Sequence, residues 1–112
     1  MTESEFLALA EHTLTGIEAA LERASNDSDL DVECSRSGNV LEVEFIDNGT
    51  KIIINSQAPM QEIWVAARSG GFHYKRENDQ WINTRDQSEL YASLSRMVSE
   101  QGGVKLVLSP AA

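Results

Sequence analysis

The residues of this chain best able to do chemistry are its carboxylates, and they are unevenly placed. Of 112 residues, 18 are Asp or Glu and 9 are Lys or Arg, giving a net charge of −9. Residues 1–50 hold twelve acids and two bases, Arg23 and Arg36, for a net −10; residues 51–112 carry a net +1. A uniform solubility coat would not divide this way. At ~100° per residue, Glu11, Glu18 and Glu22 fall within ~40° of one another on a helix. Glu18 and Glu22 are one turn apart, where like charges destabilise by ~0.2–0.5 kcal/mol. Asp29, Asp31 and Glu33 follow at alternate positions, and Glu42 and Glu44 repeat that spacing.

If the elements bearing these groups adjoin, the acids form one continuous ridge. Carboxylate oxygens are hard ligands and suit hard cations. No His or Cys joins them at a spacing that selects zinc. Residue chemistry alone does not separate iron from calcium or manganese. Exposed carboxylates make poor cages, so weak, multi-site binding is expected. The plainer alternative is a solvated charged face; the like-charge cost and the confinement to half the chain argue against it. A single-sign surface also attracts a basic protein face, and it repels nucleic acid and anionic membrane.

Other candidates carry less. Asp27-Ser28-Asp29-Leu30-Asp31 opens like an EF-hand loop, but Val32 stands where Gly is needed and Gly38 where Glu is needed. Cys34 lies on the apolar side of its strand, which suits a core thiol better than a nucleophile. His12 falls on a helix flank and His73 faces away from Phe72 and Tyr74. Gly70-Gly71 lacks the Lys of a phosphate loop. No nucleophile, base and orienting group can be assembled, so no enzyme activity is expected. Trp64 is out of phase with Ile63 and Val65. It lies on an outer sheet face if those two face the core, where it would be a binding anchor; burial in the core is the alternative.

The elements that must position these groups are legible. Residues 4 to about 24 read as a helix with Phe6, Ala10, Thr13, Ile17 and Leu21 on one face and Ser4 as N-cap. Strands are expected at 29–34, 41–45, 51–55, 63–66, 72–75 and 80–82. Turns at Ser37-Gly38-Asn39 and Asp47-Asn48-Gly49 separate the first three. A second helix is expected from near Asp86, with Asp86 and Glu89 at capping-box spacing, Leu90, Leu94, Met97 and Val98 buried, and a stop at Gly102-Gly103. The tail Val104–Leu108 is apolar enough to pack. Sequential strands joined by short turns argue for an antiparallel sheet. The expected fold is α+β: a two-layer sandwich with both helices on one face of a sheet of about six strands.

At this length one domain, 1–112, is expected, exposing roughly 6,100 Å² when folded. The one cysteine excludes an internal disulfide. The N-terminus has no basic region before an apolar run, and no segment approaches the ~20 apolar residues that cross a bilayer. A cytoplasmic protein is expected.

Several stretches together resemble the frataxin family, specifically its bacterial branch. They are Ser4-Glu5-Phe6 with Leu9-Ala10 and Ile17-Glu18, the acidic Asp27–Asp31, Gly49–Asn55, Gln57-Ala58-Pro59, Gln61–Ala66, Gly70–Tyr74 and Trp81-Ile82. The run from Lys51 to Trp64 is the most specific. The resemblance covers nearly the whole chain and implies an accessory, regulatory role in iron–sulfur cluster assembly. It implies ferrous and ferric iron held weakly and exchangeably by Glu11, Glu18, Glu22, Asp27, Asp29, Asp31 and Glu33. It also implies docking of the ridge, including Glu3, on a basic patch of the cysteine desulfurase. Asn55, Gln57 and Trp64 correspond to the surface that members turn toward the cluster scaffold protein. A monomer is implied, with iron-dependent oligomers as an option. The chain departs from the richest bacterial ridges at Ala19, Arg23 and Ser25, and has Leu7 where some members carry histidine.

Overall fold

The computed structural model describes residues 1–110. Eight elements follow in order: α1 (Glu3–Asp27), β1 (Val32–Ser37), β2 (Val40–Phe45), β3 (Lys51–Gln57), β4 (Glu62–Ala67), β5 (Gly70–Glu77), β6 (Gln80–Asn83) and α2 (Leu90–Gly102). The strands form one meander, β1-β2-β3-β4-β5-β6, with every neighbouring pair antiparallel. The hairpin turns use left-handed backbone at Gly38 (φ 57°) and Gly49 (φ 70°), which glycine reaches without a Cβ penalty. The accessible surface is 6235 Å², close to the size expectation.

The alternation of each strand splits the sheet into two faces. Leu41, Val43 and Phe45 on β2, Ile52 and Ile54 on β3, and Ile63 and Val65 on β4 are buried and share one core with both helices. The helices contribute Phe6, Leu14, Ile17 and Leu21 from α1, and Leu90, Leu94, Met97 and Val98 from α2. The expected two-layer sandwich is therefore the observed one. Phe6 meets Trp81 edge-on at 6.1 Å, and the Trp81 indole donates to Thr13 Oγ1 at 3.0 Å. These contacts tie α1 to β6. The tail is held on the helix layer: Ser95 Oγ accepts from the Leu108 N–H at 2.8 Å, Ser99 Oγ accepts from the Leu106 N–H at 3.1 Å, and Leu108 is buried.

Several boundaries differ from expectation, with α1 running on to Asp27, β1 to Ser37 and β5 spanning Gly70–Glu77; three of the differences have a clear local reason. Helix α1 starts one residue earlier, at Glu3, and is capped by Thr2 rather than Ser4. Thr2 Oγ1 accepts from the Glu5 N–H while the Glu5 carboxylate accepts from the Thr2 N–H, a reciprocal capping box. Strand β1 begins at Val32 rather than 29, because Ser28 and Leu30 finish the helix exit. The Ser28 hydroxyl donates to the Ala24 carbonyl and accepts from the Leu30 N–H, and Leu30 is buried. Helix α2 begins at Leu90, not near Asp86. Asp86 is spent on a turn, accepting from the Ser88 N–H and hydroxyl, and the Glu89 carboxylate caps α2 through Tyr91 and Ala92. Its end is as expected: Gly103 (φ 69°) donates to the Ser99 carbonyl.

Candidate functional site: an acidic edge and an outer sheet face

Strand β1 is an edge of the sheet, and α1 runs back along it. Cys34 lies near Glu18 and Glu22, and farther along β1 Arg36 reaches Glu11 and Thr15. This arrangement brings Glu18 and Glu22 of α1 beside the β1 margin. Glu22 and Glu33 line one shallow hollow of about 340 Å³, together with Ser25, Asn26, Val32 and Cys34. Asp27 closes α1, while Asp29 and Asp31 lie in the connection just before β1; all three are exposed.

The ridge is longer and less uniform than the sequence suggested. Glu3 sits in the first turn of α1, some ~28 Å along the axis from Glu22 at 1.5 Å per residue. Glu11 is neutralised in place by the Arg36 guanidinium, which also donates to the Gly38 carbonyl. Glu42 and Glu44 belong to the other sheet face. There Glu33 stands directly across from Glu44, and Glu42 pairs with Lys51 at 3.5 Å. Glu18, Glu22, Asp27, Asp29, Asp31 and Glu33 make no ion pair among the described residues.

Hard oxygen ligands suit an iron ion on chemical grounds. Yet among the described residues no three His, Cys, Asp or Glu side chains converge closely enough to hold a metal ion. The edge is a strip of separate carboxylates and not a cage. Cys34 adds no thiolate to it at neutral pH. Burial, reinforced by the negative Glu18 and Glu22, pushes its thiol up to about 11, so the group stays protonated and weakly nucleophilic. It is half-buried at the margin of the core.

The second surface is the sheet face turned away from the helices. Ile63 and Val65 face the core, so Trp64 is on the outer side and half-buried. Asn55, Trp64 and His73 are register partners across β3, β4 and β5. Gln57 lies one pleat along from Asn55 and donates to its Oδ1 at 2.6 Å. The structure thus brings the three expected residues of this surface together. It also adds His73, which alternation had already turned to this side, and two residues that the sequence reading did not single out for it, Glu62 and Lys75. The His73 ring stacks on Trp64, centroids 4.3 Å apart and planes 5° from parallel. Glu62 accepts from the Trp64 indole N–H at 2.7 Å, and Lys75 Nζ lies 3.6 Å from the same carboxylate. The available signal was the alternation that puts Glu62 and Trp64 on one side; nothing local announced that Glu62 would be buried. His12 is exposed on α1 and has no role in either surface.

No helix among the described residues is long and apolar enough to cross a membrane. A family model for the frataxin-like domain matches residues 1–104. The iron-sulfur cluster assembly protein CyaY of Herminiimonas arsenicoxydans is 72% identical over 111 residues, 99% of each chain. Its counterpart in Janthinobacterium sp. (strain Marseille) is 70% identical over the same share. Among solved structures, frataxin from Psychromonas ingrahamii matches with a TM-score of 0.81 at 32% identity, over 97% of this chain and 99% of that one. A trimeric frataxin from the yeast Saccharomyces cerevisiae, complexed with ferrous iron, matches with a TM-score of 0.72 at 26% identity, over 84% and 85%.

Proposed function

Because the chain belongs to the frataxin-like family, we propose that it is an accessory protein of iron–sulfur cluster assembly that carries loosely held iron and docks on the cysteine desulfurase through its acidic edge. The observation that carries this reading is the run of half-buried Glu18 and exposed Glu22 on α1, Asp27, Asp29 and Asp31 at the helix exit and Glu33 on β1, all without an ion-pair partner among the described residues. Such a strip keeps its negative potential for an outside cation. A bare carboxylate pair binds a hard ion but does not enclose it, so iron exchanges readily and serves as cargo. The same potential attracts a basic protein patch from a distance, while contact area comes from the outer face around Trp64, Asn55 and Gln57, turned toward the scaffold protein.

Regulation, not chemistry, is the role that fits. Oxidation of iron by the protein itself requires a site of fixed geometry, and the edge offers separated, solvated groups. The test is a titration of the Glu18→Lys, Glu22→Lys double variant with the desulfurase and with ferrous iron. Both affinities fall, the first by about tenfold or more and with a shallower dependence on salt. Unchanged affinities would sink the proposal. Docking that is equally tight with and without iron assigns the edge to the protein partner alone and makes metal binding incidental.

A further inference from the structure

Glu62 is the one buried carboxylate among the described residues, and it is buried on the outer face, away from the core. Its side chain is 5% exposed, while its neighbours His73 and Lys75 are 48% and 54% exposed. Strand alternation alone would leave a residue on this face half open, as Trp64 is. A buried carboxylate is costly unless it is paired and hydrogen-bonded, so its partners define what it is for. Oε1 accepts the Trp64 indole N–H at 2.7 Å and lies 3.5 Å from His73 Nδ1; Oε2 lies 3.6 Å from Lys75 Nζ. Across the ladder it faces Gln57 on one side and Lys75 on the other.

These contacts fix an aromatic plate. The indole is held at its edge by Glu62 and on its face by the parallel His73 ring. A half-exposed Trp on an open sheet otherwise samples several rotamers, and ordering it on binding costs affinity. We infer that Glu62 is a positioning residue: it pre-sets Trp64 and His73 as a rigid docking plate for the partner of the outer face. This rests on the reading above that the outer face meets the scaffold protein. The carboxylate is too deeply buried to touch that partner and Lys75 offsets its charge, so its contribution is geometric and not a direct contact.

The experiment uses the full chain and three variants, Glu62→Ala, Glu62→Gln and Trp64→Ala. The two tryptophan indole N–H resonances are followed by NMR, and affinity for the purified scaffold protein by calorimetry. Trp81, bonded to Thr13 in the other layer, is the internal control for folding. In Glu62→Ala the Trp64 indole signal moves and broadens, the Trp81 signal stays, and affinity drops by about tenfold. Glu62→Gln keeps an acceptor for the indole and restores both within about twofold. A Trp64 signal indifferent to Glu62→Ala, or an affinity indifferent to it while Trp64→Ala weakens binding, overturns the positioning role. If Trp64→Ala leaves affinity unchanged, the docking reading itself falls and the inference with it.

Discussion

Glu33 and Glu44 stand directly opposite each other across the β1–β2 ladder, two carboxylates on the outer face at the sheet edge. Opposed like charges destabilise a strand pair. Lys51 is the register partner of Glu44 on its other side, although its ammonium pairs with Glu42; Glu33, on the edge strand, has no cation opposite it and is the member to replace. Replacing Glu33 with Gln keeps the side-chain shape and removes the repulsion. Stability rises by about 0.5 kcal/mol at low salt, which is roughly 2–4 °C in Tm for a domain of this size. The gain shrinks as salt screens the pair; thermal melts at two ionic strengths measure both.

The Arg36–Glu11 pair behaves differently, because one partner is largely covered. The Arg36 side chain is 17% exposed and Glu11 67%. Arg36 also donates to the Gly38 carbonyl at 2.9 Å. Arg36→Ala therefore loses packing and a local hydrogen bond as well as the ion pair, and costs about 1–2 kcal/mol. Glu11→Ala costs less, under about 1 kcal/mol. Urea unfolding of the two variants separates these values.

Two buried hydrogen-bonding groups give a matched comparison. Thr13 Oγ1 accepts from the Trp81 indole inside the core. Thr13→Val is nearly the same shape but orphans that N–H, and costs about 1–3 kcal/mol. The Tyr74 hydroxyl is fully buried and directed toward Ser93 and Asn83, yet makes a well-formed hydrogen bond to neither. Tyr74→Phe removes a desolvated group with little to lose, and leaves stability within about 1 kcal/mol. A large loss in Tyr74→Phe would contradict this ranking.

Cys34 predicts a pH dependence. Its thiol is pushed from 9.0 to about 11, first by burial and then by Glu18 and Glu22. Below pH 9 it is protonated in folded and unfolded chains alike, and its full contribution to stability is present. Between pH 9 and 11 only the unfolded chain ionises, so stability falls as pH rises through that window. At pH 8 the folded thiolate is about 100-fold scarcer than in the unfolded chain, and the greater basicity returns about tenfold in nucleophilicity. Alkylation by iodoacetamide is then about tenfold slower in native protein than in urea. Glu18→Gln with Glu22→Gln speeds the native reaction.

Much of this molecule was legible in the order of its residues. Apolar spacing of three and four around Phe6, Ile17 and Leu21 required a one-sided helix. Period-two runs such as Leu41-Val43-Phe45 required half-buried strands, and the glycines at 38 and 49 required tight turns between them. The confinement of acids to the first half followed from composition alone. Boundaries were less secure where polar side chains had competing uses: Asp86 was free to cap a helix or a turn, and its bonds from Ser88, with Asn83 accepting from the Arg85 and Asp86 N–H groups, hold it in the turn.

What tertiary structure alone decided is which charges stay uncompensated. Arg36 and Glu11 are 25 positions apart, and nothing local couples them until α1 folds back along β1. Glu62 reads as one more surface acid until Lys75 and His73, on the next strand, close over it. Periodicity assigns a side chain to a face because backbone geometry is local. Whether that side chain finds a counter-ion depends on a neighbour brought in from elsewhere in the chain, and strand register and helix docking set that meeting.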